Sequence, residues 1–136
     1  MKLEYVTQNF SKQELTRTSA PYANIPDESQ WLNIAFGAKK VLQPLRDRYK
    51  KPIIVTSCFR SKRVNEYVGG ASSSQHMLGE AADITVIEKE DLKMLVRMLM
   101  ENKYVDQLLA GSSWIHVSWT RFRNPRQDFR PNYYKY

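Results

Sequence analysis

The sequence predicts an α+β domain built on an antiparallel sheet of about four strands, and three observations predict it. Trp31, Ile34, Ala35, Ala38, Leu42 and Leu45 recur on one face of a long helix at about 28–49. Short β-branched or alternating runs follow, at 53–57, 82–86, 105–109 and 114–119. Helices come first and strands later, without the regular strand–helix alternation that builds a parallel sheet. At 136 residues the chain is expected to form one domain, large enough to bury a core without disulfide staples.

Each element has a local cause. Ser11 and Glu14 have capping-box spacing and open a short helix at about 11–18; Asp27 and Gln30 repeat that signature before the long helix. Pro44 lies inside the long pattern and predicts a kink or an early break there. Lys51-Pro52 leads into Ile53–Ser57, which reads as a buried strand. Ser61 starts and Gly69-Gly70 stops a helix at about 61–68. The small-residue loop 71–74 then meets Gln75-His76. Ala82–Val86 reads as the second strand. Leu92, Leu95, Val96 and Leu99 mark an amphipathic helix at about 89–102, and Val105–Leu109 and Trp114–Trp119 the last two strands. From 120 onwards the chain is basic and aromatic with no clear period. No repeat, low-complexity tract or linker divides it.

Composition narrows the classes. With 42% hydrophobic and 26% charged residues the chain is neither disordered nor fibrous, and no apolar run is long enough to span a membrane. A single cysteine excludes a disulfide framework and any multi-cysteine zinc finger. Subtracting 14 acids from 21 bases leaves +7, and with only 2 histidines any metal site must use both or nearly both. Met1–Phe10 has no apolar leader core or small-residue cleavage site, so synthesis in the cytoplasm is expected, with action elsewhere requiring another route.

The two histidines carry the chemistry. His76 precedes a strand that begins near Asp83, and His116 lies inside the last strand. Two imidazoles and a carboxylate make three ligands for a tetrahedral zinc ion whose fourth position stays open, the arrangement of a catalytic rather than a structural site. Spacing alone leaves a second reading open, in which His116 is a hydrogen-bonded core residue and Asp83 a turn residue.

Three blocks favour the metal. Ser74-Gln75-His76-Met77-Leu78-Gly79-Glu80-Ala81-Ala82-Asp83 resembles the Ser-x-His-x-x-Gly-x-Ala-x-Asp signature of the zinc D-Ala-D-Ala peptidases, a group that includes the M15 peptidases, the vancomycin-resistance dipeptidases and many phage endolysins. Trp114-Ile115-His116 resembles their second motif, and Thr56-Ser57-Cys58-Phe59-Arg60-Ser61 their Thr-Ser-Gly-Tyr-Arg-Ser. The resemblance runs from about 8 to 127. It implies a hedgehog-like fold with helices on one side of the sheet and a zinc cleft on the other. His76, Asp83 and His116 become the Zn2+ ligands, Arg60 the partner of the substrate's carboxylate, and Ser74 a substrate or loop contact. Gln107, in Asp106-Gln107-Leu108-Leu109, matches an Asp-Gln-Leu-Ile block of phage-type relatives and is counted as substrate-binding. The implied activity is hydrolysis of D-Ala-type peptide bonds in peptidoglycan stem peptides, in lysis or wall remodelling.

One departure matters. Family members carry an acid a few positions before the second histidine, as general base and acid for the attacking water. Ala110-Gly111-Ser112-Ser113 is neutral. Three explanations stand: Asp106 takes the role, the preferred one; Glu80 faces the metal; or the protein is a catalytically impaired, zinc-containing wall-binding module. Cys58, where relatives have Gly, reads as a small buried hydrophobe.

In residues 120–136, Arg121, Arg123, Arg126, Arg130 and Lys135 against Asp128 leave +4 of the total charge. Bases interleaved with aromatics also suit single-stranded nucleic acid, the second alternative. Arg121–Gln127 resembles the basic stretch after His-Val-Ser in phage-type relatives, which favours the wall. A monomer is expected.

Overall fold

A computed structural model describes residues 2–131. The chain opens with a small hairpin, β1 (Tyr5–Thr7) and β2 (Phe10–Ser11), absent from the sequence reading. Helix α1 (Lys12–Leu15) follows, with Ser11 Oγ accepting from the Glu14 amide and Glu14 accepting from the Ser11 amide, as the capping box predicts. It ends well before 18, where the β-branched Thr16 leaves helical geometry.

The long helix forms from Asp27, whose side chain caps it with Gln30. It runs as α2 (Glu28–Gly37), a π-helical stretch (Ala38–Leu42) and α3 (Gln43–Tyr49). Pro44 does not break it. A proline at 44 cannot donate to the carbonyl of Lys40, and Asn102 Nδ2 donates to that carbonyl instead, at 2.9 Å. The wider π turn takes up the ring, and the chain stays helical to Lys50, which terminates it at φ 67°.

Next come β3 (Ile54–Ser57), α4 (Lys62–Tyr67), a 3-10 turn (Gln75–Leu78), β4 (Ala81–Thr85), a 3-10 turn (Lys89–Asp91) leading into α5 (Leu92–Met100), β5 (Val105–Ala110), β6 (Ile115–Trp119) and β7 (Asp128–Arg130). The main sheet has the order β3-β4-β6-β5-β7. Its first four strands are antiparallel neighbours, as expected; β7 adds a fifth, parallel to β5. The strand at 54–57 is an edge strand with Ile54 39% exposed, rather than a fully buried one.

Alternation divides the sheet. Ala82, Ile84, Leu108, Ala110, Ile115 and Val117 face α2–α3 and α5, whose Ile34, Val41, Leu45, Leu95 and Leu99 complete the core. Trp119 is wholly buried, and its indole donates to the carbonyls of Asn33 and Gly79. A Cβ at Gly37 would lie 1.8 Å from the Trp119 ring, so only glycine lets α2 approach there. The opposite face carries Asp83 and His116.

Candidate metal centre

Strand register brings the residues together. Asp83 on β4 is the cross-strand partner of His116 on β6, and Ser57 on β3 is the partner of Asp83. Direct partners share a face, so both ligand candidates project from the side away from the helices. His76 reaches the same point from the 3-10 turn. Ser74 Oγ caps that turn by accepting from the His76 amide, and Gly79 ends it at φ 76°. A side chain at Gly79 would place its Cβ 2.7 Å from the Gln30 carbonyl. The turn is pinned to α2: Gln30 Nε2 donates to the Met77 carbonyl and Asn33 Nδ2 to that of Leu78.

Asp83 Oδ1 lies 2.8 Å from His116 Nδ1 and 3.2 Å from His76 Nε2. Donors about 2.0–2.1 Å from a tetrahedral zinc stand roughly 3.3 Å apart, so a small outward shift makes room for the ion. The tautomer is set as a ligand needs. His76 Nδ1 is 2.6 Å from the Cys58 carbonyl, which accepts only from N–H, leaving the Nε2 lone pair for a metal. The other Asp83 oxygen, Oδ2, accepts from Arg60 at 3.2 Å. Burial alone would raise the Asp83 carboxyl; the hydrogen bonds and positive charge that His116 and His76 supply when both ring nitrogens carry a proton outweigh it and hold the group well below the usual carboxylate range. Among the described residues, His76, Asp83 and His116 are the group of such side chains close enough to share an ion.

The other expected site residues lie as follows. Arg60 flanks the cluster with a side chain 16% exposed. It donates to Ser57, Asn65 and Asp83, which leaves two of a guanidinium's five N–H groups without a partner among the described residues. Ser74 fixes the loop. Gln107 donates through its side chain to Asp128, on the sheet face of the metal cluster but toward the far edge.

Asp106 is not in the cluster. It is wholly buried, and Arg123 holds both oxygens in a fork–fork pair at 2.8 and 2.9 Å. The Arg126 amide, Nε and Nη2 and the Gln75 side chain bind the same carboxylate. Burial raises the group, but these donors outweigh it, and the carboxyl sits well below its usual range. A carboxylate so committed is a poor proton acceptor, and its contacts join the tail to Gln75, the residue beside His76. Glu80 borders the same network. Burial raises its carboxyl against hydrogen bonds from Thr120 and Gln75. Cys58 is buried and its thiol is pushed up to about 12 by desolvation, so its part in the site is its backbone carbonyl.

The sequence profile of the Peptidase M15 family matches residues 8–118, and the chain belongs to that family. Over 34 residues it is 59% identical to the zinc D-Ala-D-Ala carboxypeptidase of Streptomyces albus G, a stretch that spans 25% of this chain and 13% of that protein. With a donor set of two imidazoles and one carboxylate, the cofactor of this family member is Zn2+.

Proposed function

We propose that this member of the Peptidase M15 family is a zinc-dependent peptidase that hydrolyses D-Ala-type bonds in peptidoglycan stem peptides, in lysis or wall remodelling. One observation carries it: His76 Nε2, Asp83 Oδ1 and His116 Nδ1 converge on a half-exposed sheet face, with His76 locked by the Cys58 carbonyl in the tautomer a metal requires. Zinc bound there supplies Lewis acidity, acidifying water and polarising a carbonyl. The protein's own groups do the rest. Arg60 holds the Asp83 carboxylate in orientation and offers its two remaining N–H groups to the terminal carboxylate of a peptide. Ser74, Gln30 and Asn33 keep the His76 turn rigid, so the ligand geometry is set before substrate arrives.

A second reading, the catalytically impaired wall-binding module, is favoured by the neutral loop 110–113 and by the commitment of Asp106 to two arginines. Loss of a general base removes about 10²–10⁴-fold in rate. Digestion of purified peptidoglycan with and without a chelator separates the readings. Zinc-dependent release of peptides supports the enzyme. Co-sedimentation with walls and no release hands the case to the module, and salt-sensitive oligonucleotide binding without wall binding to a nucleic-acid role.

A further inference from the structure

The register of the main sheet lines up one row of side chains on the metal-bearing face: Ser57, Asp83, His116, Leu109 and Arg130, each the cross-strand partner of the next. Phe129 packs against the core, so its neighbours Asp128 and Arg130 stand on the other face, with Gln107 and Leu109. The row is half-exposed along its length and ends in the exposed Arg130. Arg60 stands at the β3 end of this row and Arg130 at the β7 end, with the three ligand candidates between them.

Arg130 is aimed rather than loose. Its Nε and Nη2 each lie 3.2 Å from Asp128, and Asp128 is held in turn by Gln107. That leaves three of its five N–H groups without a partner among the described residues, open to another acceptor. The pair is half-exposed, with the Arg130 side chain 52% and the Asp128 side chain 31% accessible, so a competing carboxylate gives up little by joining it.

Spacing gives the reach. Neighbouring strands lie about 4.8 Å apart, so two steps from β6 to β7 cover about 10 Å. An extended peptide advances about 3.3 Å per residue, and three residues cover the same span. We propose that Arg130 is a second carboxylate anchor, and that the preferred substrates are peptides lying across the strands with an acidic group about three residues before the scissile bond. This rests on the peptidase reading, which puts the peptide's C-terminus at Arg60 and runs the remainder toward β7.

The test uses the zinc-loaded full chain and synthetic peptides ending in D-Ala-D-Ala. They carry Glu or Gln two, three or four residues before the scissile amide, and that amide is N-methylated so that they bind without being cut. Calorimetry should find the Glu peptide bound about fivefold tighter than the Gln peptide at one of these positions. In Arg130→Gln the ratio should fall to about one, while Arg130→Lys retains part of it. Zinc content and melting temperature are recorded alongside, and Arg130→Lys serves if Arg130→Gln loosens β7. Equal binding of Glu and Gln peptides by the parent, or an undiminished preference in Arg130→Gln, overturns the proposal. Unmethylated peptides report the peptidase reading separately: if none is hydrolysed that reading fails, while the binding ratios still decide on Arg130.

Discussion

Replacing Asp106 by Asn separates a structural from a catalytic carboxylate. In the parent, six hydrogen bonds from Arg123, Arg126 and Gln75 converge on this wholly buried group. Asn keeps one acceptor oxygen, turns a donor toward two guanidinium groups and removes the charge that both arginines face. Breaking a buried ion pair from one side costs about 3–5 kcal/mol. The arginine side chains are 46% and 50% exposed and rehydrate, which lowers the expected loss to about 2–3 kcal/mol. For a chain of this size that lowers the melting temperature by roughly 8–12 °C. The loss should depend on pH. A carboxyl held below its unfolded value of about 3.9 contributes fully above that pH, and the contribution disappears as pH falls toward the folded value. The gap between parent and Asp106→Asn stabilities should therefore begin to narrow below about pH 4 and go on narrowing toward the folded value. Thermal unfolding followed by circular dichroism between pH 3 and 7, with zinc content and peptide release measured well below the melting point, checks this. An unchanged melting temperature with a rate loss of about 10²-fold or more would refute the structural role and restore Asp106 as the base.

Other perturbations test the remaining parts. The parent should carry about one zinc per chain, and His76→Ala or His116→Ala should abolish it by elemental analysis of protein purified without chelator. Retained stoichiometric zinc in either variant removes that histidine from the site. Gly79→Ala forces an alanine to φ 76° with its Cβ 2.7 Å from the Gln30 carbonyl; a cost of about 1–3 kcal/mol and weaker zinc retention should follow, read by unfolding and chelator competition. The Cys58 thiol, buried and raised to about 12, should stay unreactive to a disulfide reagent at pH 8 until the protein unfolds, and fast native-state labelling would contradict its burial.

The parts of the fold that sequence reveals are those whose cause is local. Both capping boxes, the glycine after the His76 turn and the amphipathic face of α5 can be read from neighbouring residues alone, and the structure contains each of them. That Asp83 and His116 belong to one site is legible from the motifs that carry them, whereas their cross-strand pairing emerges only from the sheet. What stays hidden depends on distant partners. Asn102 rescues the carbonyl that Pro44 orphans across 62 positions, so of the two outcomes expected there, a kink or an early break, the break does not occur. The backbone oxygen of Cys58, rather than its thiol, sets the His76 tautomer, and side-chain identity says nothing of it. Strand β7 holds one apolar residue, Phe129, and takes its place through pairing with β5 rather than through any period of its own. Asp106 reads as a candidate base only while the tail arginines that bind it remain unplaced.

Those arginines also bear on the polyanion reading of the tail, which extends in sequence to residues 132–136, outside the described residues. Arg121 donates to Asn33, Arg123 and Arg126 to Asp106, and Arg130 to Asp128. Four guanidinium groups less those two carboxylates leave +2 on this surface, half the charge that the arginines alone suggest. Each phosphate neutralised on a single strand contributes about −0.7 to the slope of log affinity against log salt. A guanidinium whose charge is offset by a fixed carboxylate releases little counterion when it meets a phosphate, although its remaining N–H groups can still donate to an acceptor. Any oligonucleotide binding should therefore change slope by less than about 0.35 when Arg130 becomes Gln, half of one phosphate's share. Asp128→Asn, which frees Arg130, should steepen the slope by about 0.7. Fluorescence anisotropy with a labelled single strand over a salt series measures both differences. A full drop of about 0.7 in Arg130→Gln, with no steepening in Asp128→Asn, means that Arg130 already engages phosphate despite its partner. In that event the tail acts as an open cationic surface rather than as part of the sheet that carries the metal site.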